Sequence, residues 1–104
     1  MNVMLTEGGE LLKVADFGLA VDLSESGESN IQEEAGTPYY TAPEMIQRES
    51  YSYPADCWSF GIILYQLLTL DRPFEGSSTA ELVKSILTSE PSPITAGHYS
   101  DEIK

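Results

Sequence analysis

Cys57-Trp58-Ser59-Phe60-Gly61-Ile62-Ile63-Leu64-Tyr65-Gln66-Leu67-Leu68-Thr69-Leu70 is the densest apolar run in the sequence, and the fold turns on how it is read. It is too short to span a bilayer, which takes about 20 apolar residues. It reads as a core helix. Ser59, Gln66 and Thr69 interrupt it and fall on roughly one face at helical spacing. A helix apolar on its other sides expects protein against nearly all of them. Arg72-Pro73-Phe74-Glu75-Gly76 breaks it. Ser78-Thr79-Ala80-Glu81 then has the spacing of a capping box. Leu82, Val83, Ile86 and Leu87 follow with a 3.6-residue repeat, which predicts an amphipathic helix. Residues 90–97 carry Pro91, Pro93 and Gly97 and read as a loop. Ser100 is placed to cap one more helix from Asp101 onward, and the sequence ends at Lys104 within its first turn.

Upstream, Pro43 and Pro54 bracket a segment with room for one short helix over residues 44–48. Before it lies a polar, acidic stretch over residues 22–34. It holds Ser24, Ser26 and Ser29 among Asp22, Glu25, Glu28, Glu33 and Glu34. Little there can bury itself, so a mobile loop is expected. At the start, Val3-Met4-Leu5-Thr6 and Leu11-Leu12-Lys13-Val14 flank Glu7-Gly8-Gly9-Glu10, which predicts a β-hairpin. The paired glycines lack G-x-G-x-x-G spacing and a following helix, so a phosphate-cradling loop is not supported. The fold class is mainly α with a short N-terminal β-hairpin, in one domain or part of one.

Five Lys and Arg stand against seventeen Asp and Glu, for a formal charge of −12. Such a chain repels DNA, RNA and anionic lipid. Nucleic-acid binding and membrane insertion are therefore not expected. Cys57 stands alone and has no internal disulfide partner, which fits a reducing, intracellular setting such as the cytoplasm. The opening residues do not read as a secretory leader. Cys57 is expected as a small buried hydrophobe. His98 is the only histidine. Without G-x-S-x-G or Cys/His ligand spacing, neither a Ser-His hydrolase nor a zinc site is supported.

Three strings occur in order: Asp16-Phe17-Gly18, then Gly36-Thr37-Pro38-Tyr39-Tyr40-Thr41-Ala42-Pro43-Glu44, then Asp56-Cys57-Trp58-Ser59-Phe60-Gly61. A D-F-G tripeptide alone recurs by accident. In series and at these separations, with a serine-rich loop between the first two, the strings resemble the C-terminal lobe of eukaryotic protein kinases. Asn2, followed by a short apolar strand and twelve residues ahead of Val14, resembles the end of the catalytic loop H-R-D-x-x-x-x-N. The Gly36–Tyr40 string resembles serine/threonine rather than tyrosine kinases. Leu67-Leu68-Thr69-Leu70, Arg72-Pro73-Phe74-Glu75, Ala80-Glu81-Leu82-Val83 and His98-Tyr99-Ser100 resemble the NIMA-related kinases.

The resemblance implies a role for each matching residue. Asp16 and Asn2 match the two positions that hold the metal ions bridging the ATP phosphates. Phe17 would pack in the interior of the lobe. Thr37, Pro38 and Tyr39 match the substrate-seating segment, with Thr37 bonding the catalytic aspartate. Glu44 would pair with an arginine farther along than Lys104, so here it is expected to stay hydrated and its segment to loosen. Asp56 would cap the long helix and hold the catalytic-loop backbone, and its plain reading is an N-cap. Trp58 is core on either reading. Glu33 stands where the family's activating phosphoacceptor stands. A carboxylate carries about −1 there against about −1.5 to −2 for phosphate, which predicts partial, unregulated ordering of the loop. Ser24, Ser26 and Ser29 are further candidate modification sites.

The 104 residues hold no glycine-rich loop, no strand lysine and no catalytic aspartate, all of which phosphoryl transfer by a kinase requires. The expected parent uses ATP and Mg²⁺ on Ser or Thr of protein substrates. The chain alone is expected to be inactive and to bind neither tightly. Large apolar side chains left uncovered forfeit about 1.5–3 kcal/mol each. A partly folded, aggregation-prone polypeptide is expected unless the missing kinase segments or a chaperone cover it. The rival reading is a non-catalytic kinase remnant that docks substrates or partners through its activation segment and the Ser78–Leu87 helix.

Overall fold

The computed structural model describes residues 2–18, 20–24, 37–95 and 100. Two strands, β1 (Asn2–Leu5) and β2 (Leu12–Ala15), pair antiparallel. Asn2 faces Ala15, and Leu5 faces Leu12. Gly8 and Gly9 turn the chain with φ of 89° and 73°, a region open to glycine at little cost. The turn is closed by Gly9 N–H to the Thr6 carbonyl at 2.8 Å and by Thr6 N–H to the Leu11 carbonyl at 2.9 Å. Met4, Leu5, Leu11, Leu12 and Val14 remain exposed.

Helix α1 (Pro43–Ile46) is a single turn with proline at its start and no side-chain cap. It lies one to two residues earlier than the sequence predicts. Arg48 takes φ of 60°, and Glu49 N–H reaches back to the Glu44 carbonyl at 2.9 Å, which closes the turn.

Helix α2 (Pro54–Thr69) begins at the proline that the sequence reading placed as a bracket. Proline suits this place because its missing N–H is one that a helix start leaves unpaired. Tyr53 is the N-cap, so Asp56 is not. The aspartate sits within the first turn and is exposed. There its charge still complements the helix dipole. At the other end Leu70 turns left-handed, φ 58°, and its N–H bonds the Gln66 carbonyl at 2.8 Å.

Helix α3 (Thr79–Thr88) follows the predicted box with one change. Ser78 Oγ accepts from Glu81 N–H at 3.2 Å, but the Glu81 carboxylate reaches back to Ser77, accepting from its N–H at 3.0 Å and from its hydroxyl.

The core is Ile62 of α2, Phe74 of the connecting loop, and Leu82 and Ile86 of α3. Trp58 stacks on Phe74 with ring centroids 5.7 Å apart and planes 10° from parallel. Tyr39, Ile46 and Trp58 pack around this cluster. Gly76 lets α3 approach the loop closely, since a Cβ there would stand 2.3 Å from Leu82 N.

These elements cover one side of α2 only. Phe60, Leu64 and Leu67 stay exposed, and Leu70 is 92% exposed. The helix expected to have protein on nearly every side is half-covered by the described residues. Cys57 is likewise exposed rather than buried. Among the described residues no helix is long and apolar enough to cross a membrane. The expected helix from Asp101 lies outside the described residues, as do His98 and Tyr99.

Candidate functional site

Strand register builds the first part of the site. Asn2 stands opposite Ala15, so the pairing of β1 with β2 brings Asn2 beside Asp16, the next residue along. Fourteen positions apart in sequence, the two become neighbours through backbone hydrogen bonds alone. Asp16 takes φ of 64°, a conformation that aspartate tolerates better than most side chains. Its Oδ1 accepts from Gly18 N–H at 3.4 Å, and the side chain is exposed at the end of the hairpin. Ala20 N–H to the Phe17 carbonyl at 3.0 Å continues the turn. Phe17 is 69% exposed, so it is not packed in an interior as the sequence reading expects, because no described element covers it.

Asparagine and aspartate are oxygen-donor residue types, and the backbone register sets the two positions next to each other, a combination that suits Mg²⁺. That ion takes oxygen ligands, needs one or two carboxylates from protein, and fills its remaining positions with water and phosphate. The donor set therefore fits. A closed cage of protein ligands is not built, since the described residues contain no group of three His, Cys, Asp or Glu side chains. Farther on, Asp22 Oδ1 accepts from Ser24 N–H at 2.9 Å, and bonding to Ser24 holds its carboxyl below the usual range. Ser24 is exposed. Glu33, Ser26 and Ser29 lie outside the described residues.

The second part is the segment carrying Thr37, Pro38 and Tyr39. Thr37 is exposed, while Pro38 and Tyr39 are half-buried. Within the segment Tyr39 N–H bonds the Thr37 carbonyl at 2.9 Å, and Thr41 N–H reaches the Pro38 carbonyl at 3.4 Å. Elements outside the segment hold it in place. The Arg72 guanidinium lies 3.9 Å from the centroid of the Tyr39 ring. The Tyr40 hydroxyl donates to Gln66 Oε1 at 3.0 Å. Ser59 Oγ, shared with the Ala55 carbonyl at 3.2 Å, donates to the Tyr40 carbonyl at 2.8 Å. Fully buried Ala42 then leads into α1. A cleft of about 460 Å³ opens beside Tyr39, lined also by Arg72, Glu75, Gly76 and Ser77.

Of the remaining candidates, Glu44 is half-buried in the first turn of α1 rather than fully hydrated. Trp58 belongs to the core as expected, although its Nε1 is buried with no hydrogen-bond partner among the described residues. Gln66 and Arg72 were not singled out from the sequence as site residues. The signal for Gln66 was present, as a polar side chain on an otherwise apolar helix. What the sequence does not show is that Tyr40 is its partner.

The family model described as "Protein kinase domain" matches residues 1–102. Serine/threonine-protein kinase Nek5 of Mus musculus is 40% identical over 103 residues, 99% of this chain and 16% of that protein. Nek5 of Homo sapiens is 41% identical over 102 residues, 98% of this chain and 14% of that protein. Protein kinase C delta type of Rattus norvegicus is 42% identical over 90 residues, 86% of this chain and 13% of that protein. The chain thus spans about one-sixth or less of the length of these relatives.

Proposed function

Because the chain belongs to the protein kinase domain family, we propose that it forms part of the C-terminal lobe of a NIMA-related serine/threonine kinase. The complete polypeptide transfers the γ-phosphoryl group of ATP to Ser or Thr of protein substrates. The observation that carries this reading is the hairpin register. It sets Asn2 beside Asp16, ahead of a seating segment strapped to α2.

Phosphoryl transfer asks a protein mainly for positioning and charge neutralisation. Mg²⁺, when bound, draws negative charge off the phosphate oxygens. Asn2 and Asp16 would hold it, the aspartate by charge and the asparagine through its amide oxygen. The segment at Thr37, Pro38 and Tyr39 would seat the substrate backbone beside the cleft. The exposed side of α2, with Phe60, Leu64 and Leu67, would pack against the rest of the lobe.

On this reading the 104 residues by themselves transfer nothing, since the groups that hold adenine, cradle the phosphates and accept the hydroxyl proton are not among them. The test is transfer of radiolabelled phosphate to a generic Ser/Thr protein substrate by the longer kinase. Asp16→Asn should lower it by at least about a hundredfold, as loss of a charge-neutralising group does. Undiminished transfer by that variant would refute the assignment. The isolated chain should give neither transfer nor heat on titration with Mg-ATP, and micromolar binding by it would contradict the reading.

A further inference from the structure

A cleft of about 460 Å³ opens between Tyr39 and the link from α2 to α3, where Arg72, Glu75, Gly76 and Ser77 line it. Its volume falls in the range of small-ligand sites, about 300–1,000 Å³. Its walls are fixed. Tyr39 packs against the core cluster, and Arg72 is followed by the buried pair Pro73 and Phe74. The Arg72 guanidinium lies over the Tyr39 ring, 3.9 Å from its centroid. That hold is an attraction between a charge and a ring face, and it uses up no N–H donor. Among the described residues the guanidinium has no hydrogen-bond or ion-pair partner, although Glu75 lines the same cleft. Asp71 and Glu81 spend carboxylate oxygens elsewhere. Asp71 accepts from the Arg72 backbone N–H at 2.8 Å, and Glu81 accepts from Ser77 N–H at 3.0 Å.

A planar fork of open N–H donors, on a side chain already held over a ring, is built to recognise a carboxylate or a phosphate group. Five Lys and Arg stand against seventeen Asp and Glu in this chain, so an oxyanion finds few other places to bind. We infer that the cleft is an oxyanion subsite, in which Arg72 selects protein substrates carrying an acidic or phosphorylated side chain close to the acceptor Ser or Thr. The inference deepens the kinase reading above and rests on it, because Tyr39 belongs to the segment proposed to seat the substrate. Glu75 limits the affinity, since a like charge in the same cleft weakens the anion's hold. The Asn2–Asp16 part of the site is built on the hairpin and takes no part.

The test uses the longer active kinase and a series of Ser peptides in which glutamate, phosphoserine, lysine or alanine is walked through the positions around the acceptor. At one position glutamate and phosphoserine should lower the peptide KM about tenfold relative to alanine, as a charge-assisted hydrogen bond does, with kcat and the KM for ATP unchanged. Added salt should shrink the difference. Phosphoserine well ahead of glutamate identifies the substrate as a phosphorylated protein, and equal effects identify it as an acidic one. Arg72→Gln should erase the preference while moving the KM of the alanine peptide by no more than about twofold, as a surface substitution does. Arg72→Glu should transfer the preference to the lysine peptide, which a merely structural arginine would not do. Glu75→Gln should enlarge it. No acidic preference at any position, a wild-type preference for lysine, a preference that survives Arg72→Gln, or equal losses for all four peptides would each overturn the inference and leave the kinase reading intact. A wild-type polypeptide that transfers no phosphate to any peptide defeats the kinase reading itself, before any substitution is compared.

Discussion

Replacing Gly76 with alanine should unlatch α3 from the core. A Cβ built on Gly76 meets Leu82 N at 2.3 Å, the Glu81 carbonyl carbon at 2.7 Å and Glu81 Cβ at 2.9 Å. The first two are backbone atoms in the first turn of α3, and that turn is held fast. Leu82 N–H bonds the Ser78 carbonyl at 3.0 Å, and Glu81 N–H bonds Ser78 Oγ at 3.2 Å. Nothing flexible can give way, so the helix must move, carrying Leu82 (1% exposed) out of its packing. Overpacking costs about 1–3 kcal/mol, and a clash with fixed backbone belongs at the upper end. With a urea slope of about 1.5 kcal/mol per M, 3 kcal/mol lowers the midpoint by about 2 M.

Trp58 is the only tryptophan and stacks on Phe74 within this core, so its fluorescence reports the contact directly. The expected result for Gly76→Ala is a midpoint lower by about 2 M, or no folded baseline at all. Gly61→Ala serves as the opposite case. A Cβ there meets nothing within 4 Å, and Gly61 lies inside α2. Alanine should stabilise that position by about 0.5–1 kcal/mol. A midpoint for Gly76→Ala equal to the wild type would refute the close-approach argument.

Three further outcomes follow from the same geometry. Phe74→Ala removes a buried ring and the partner of Trp58, and should cost about 3–5 kcal/mol with a red-shifted emission in the same titration. Bonding to Ser77 holds the Glu81 carboxyl below the usual glutamate range. Its contribution is therefore present above the unfolded value and lost as pH falls through the lower folded one. Helical signal should drop in acid below the ordinary glutamate range, and Glu81→Gln should flatten that drop in circular dichroism; an unchanged pH profile would contradict the assigned bonds. Cys57 is exposed on α2, so a thiol reagent should modify one equivalent without denaturant. A thiol that reacts only in urea would place it inside.

Much of this molecule is legible in order along the chain. The hairpin follows from two apolar runs around Gly8-Gly9, α3 from its cap and its 3.6-residue repeat, and α2 from a long apolar stretch. These are local signals, decided by a few neighbouring residues. Boundaries were harder. Pro54 looked like a stop and is a start, because a proline ends one helix as readily as it opens the next. That one shift moved Asp56 from the cap into the first turn. Burial was harder still. Phe17 and Cys57 have interior chemistry, yet both are exposed, since burial depends on which other element arrives.

The sequence alone determined the family, the order of the elements and the candidate metal-holding pair, because motifs and periodicities are properties of the chain as written. Tertiary structure alone decided which residues meet. A strand register sets Asn2 opposite Ala15, the neighbour of Asp16; Tyr40 finds Gln66 across a gap of 26 positions, and Arg72 comes to lie on Tyr39. No local rule encodes those meetings. They follow from which strands, helices and loops come together, and packing sums contributions from residues far apart in the chain.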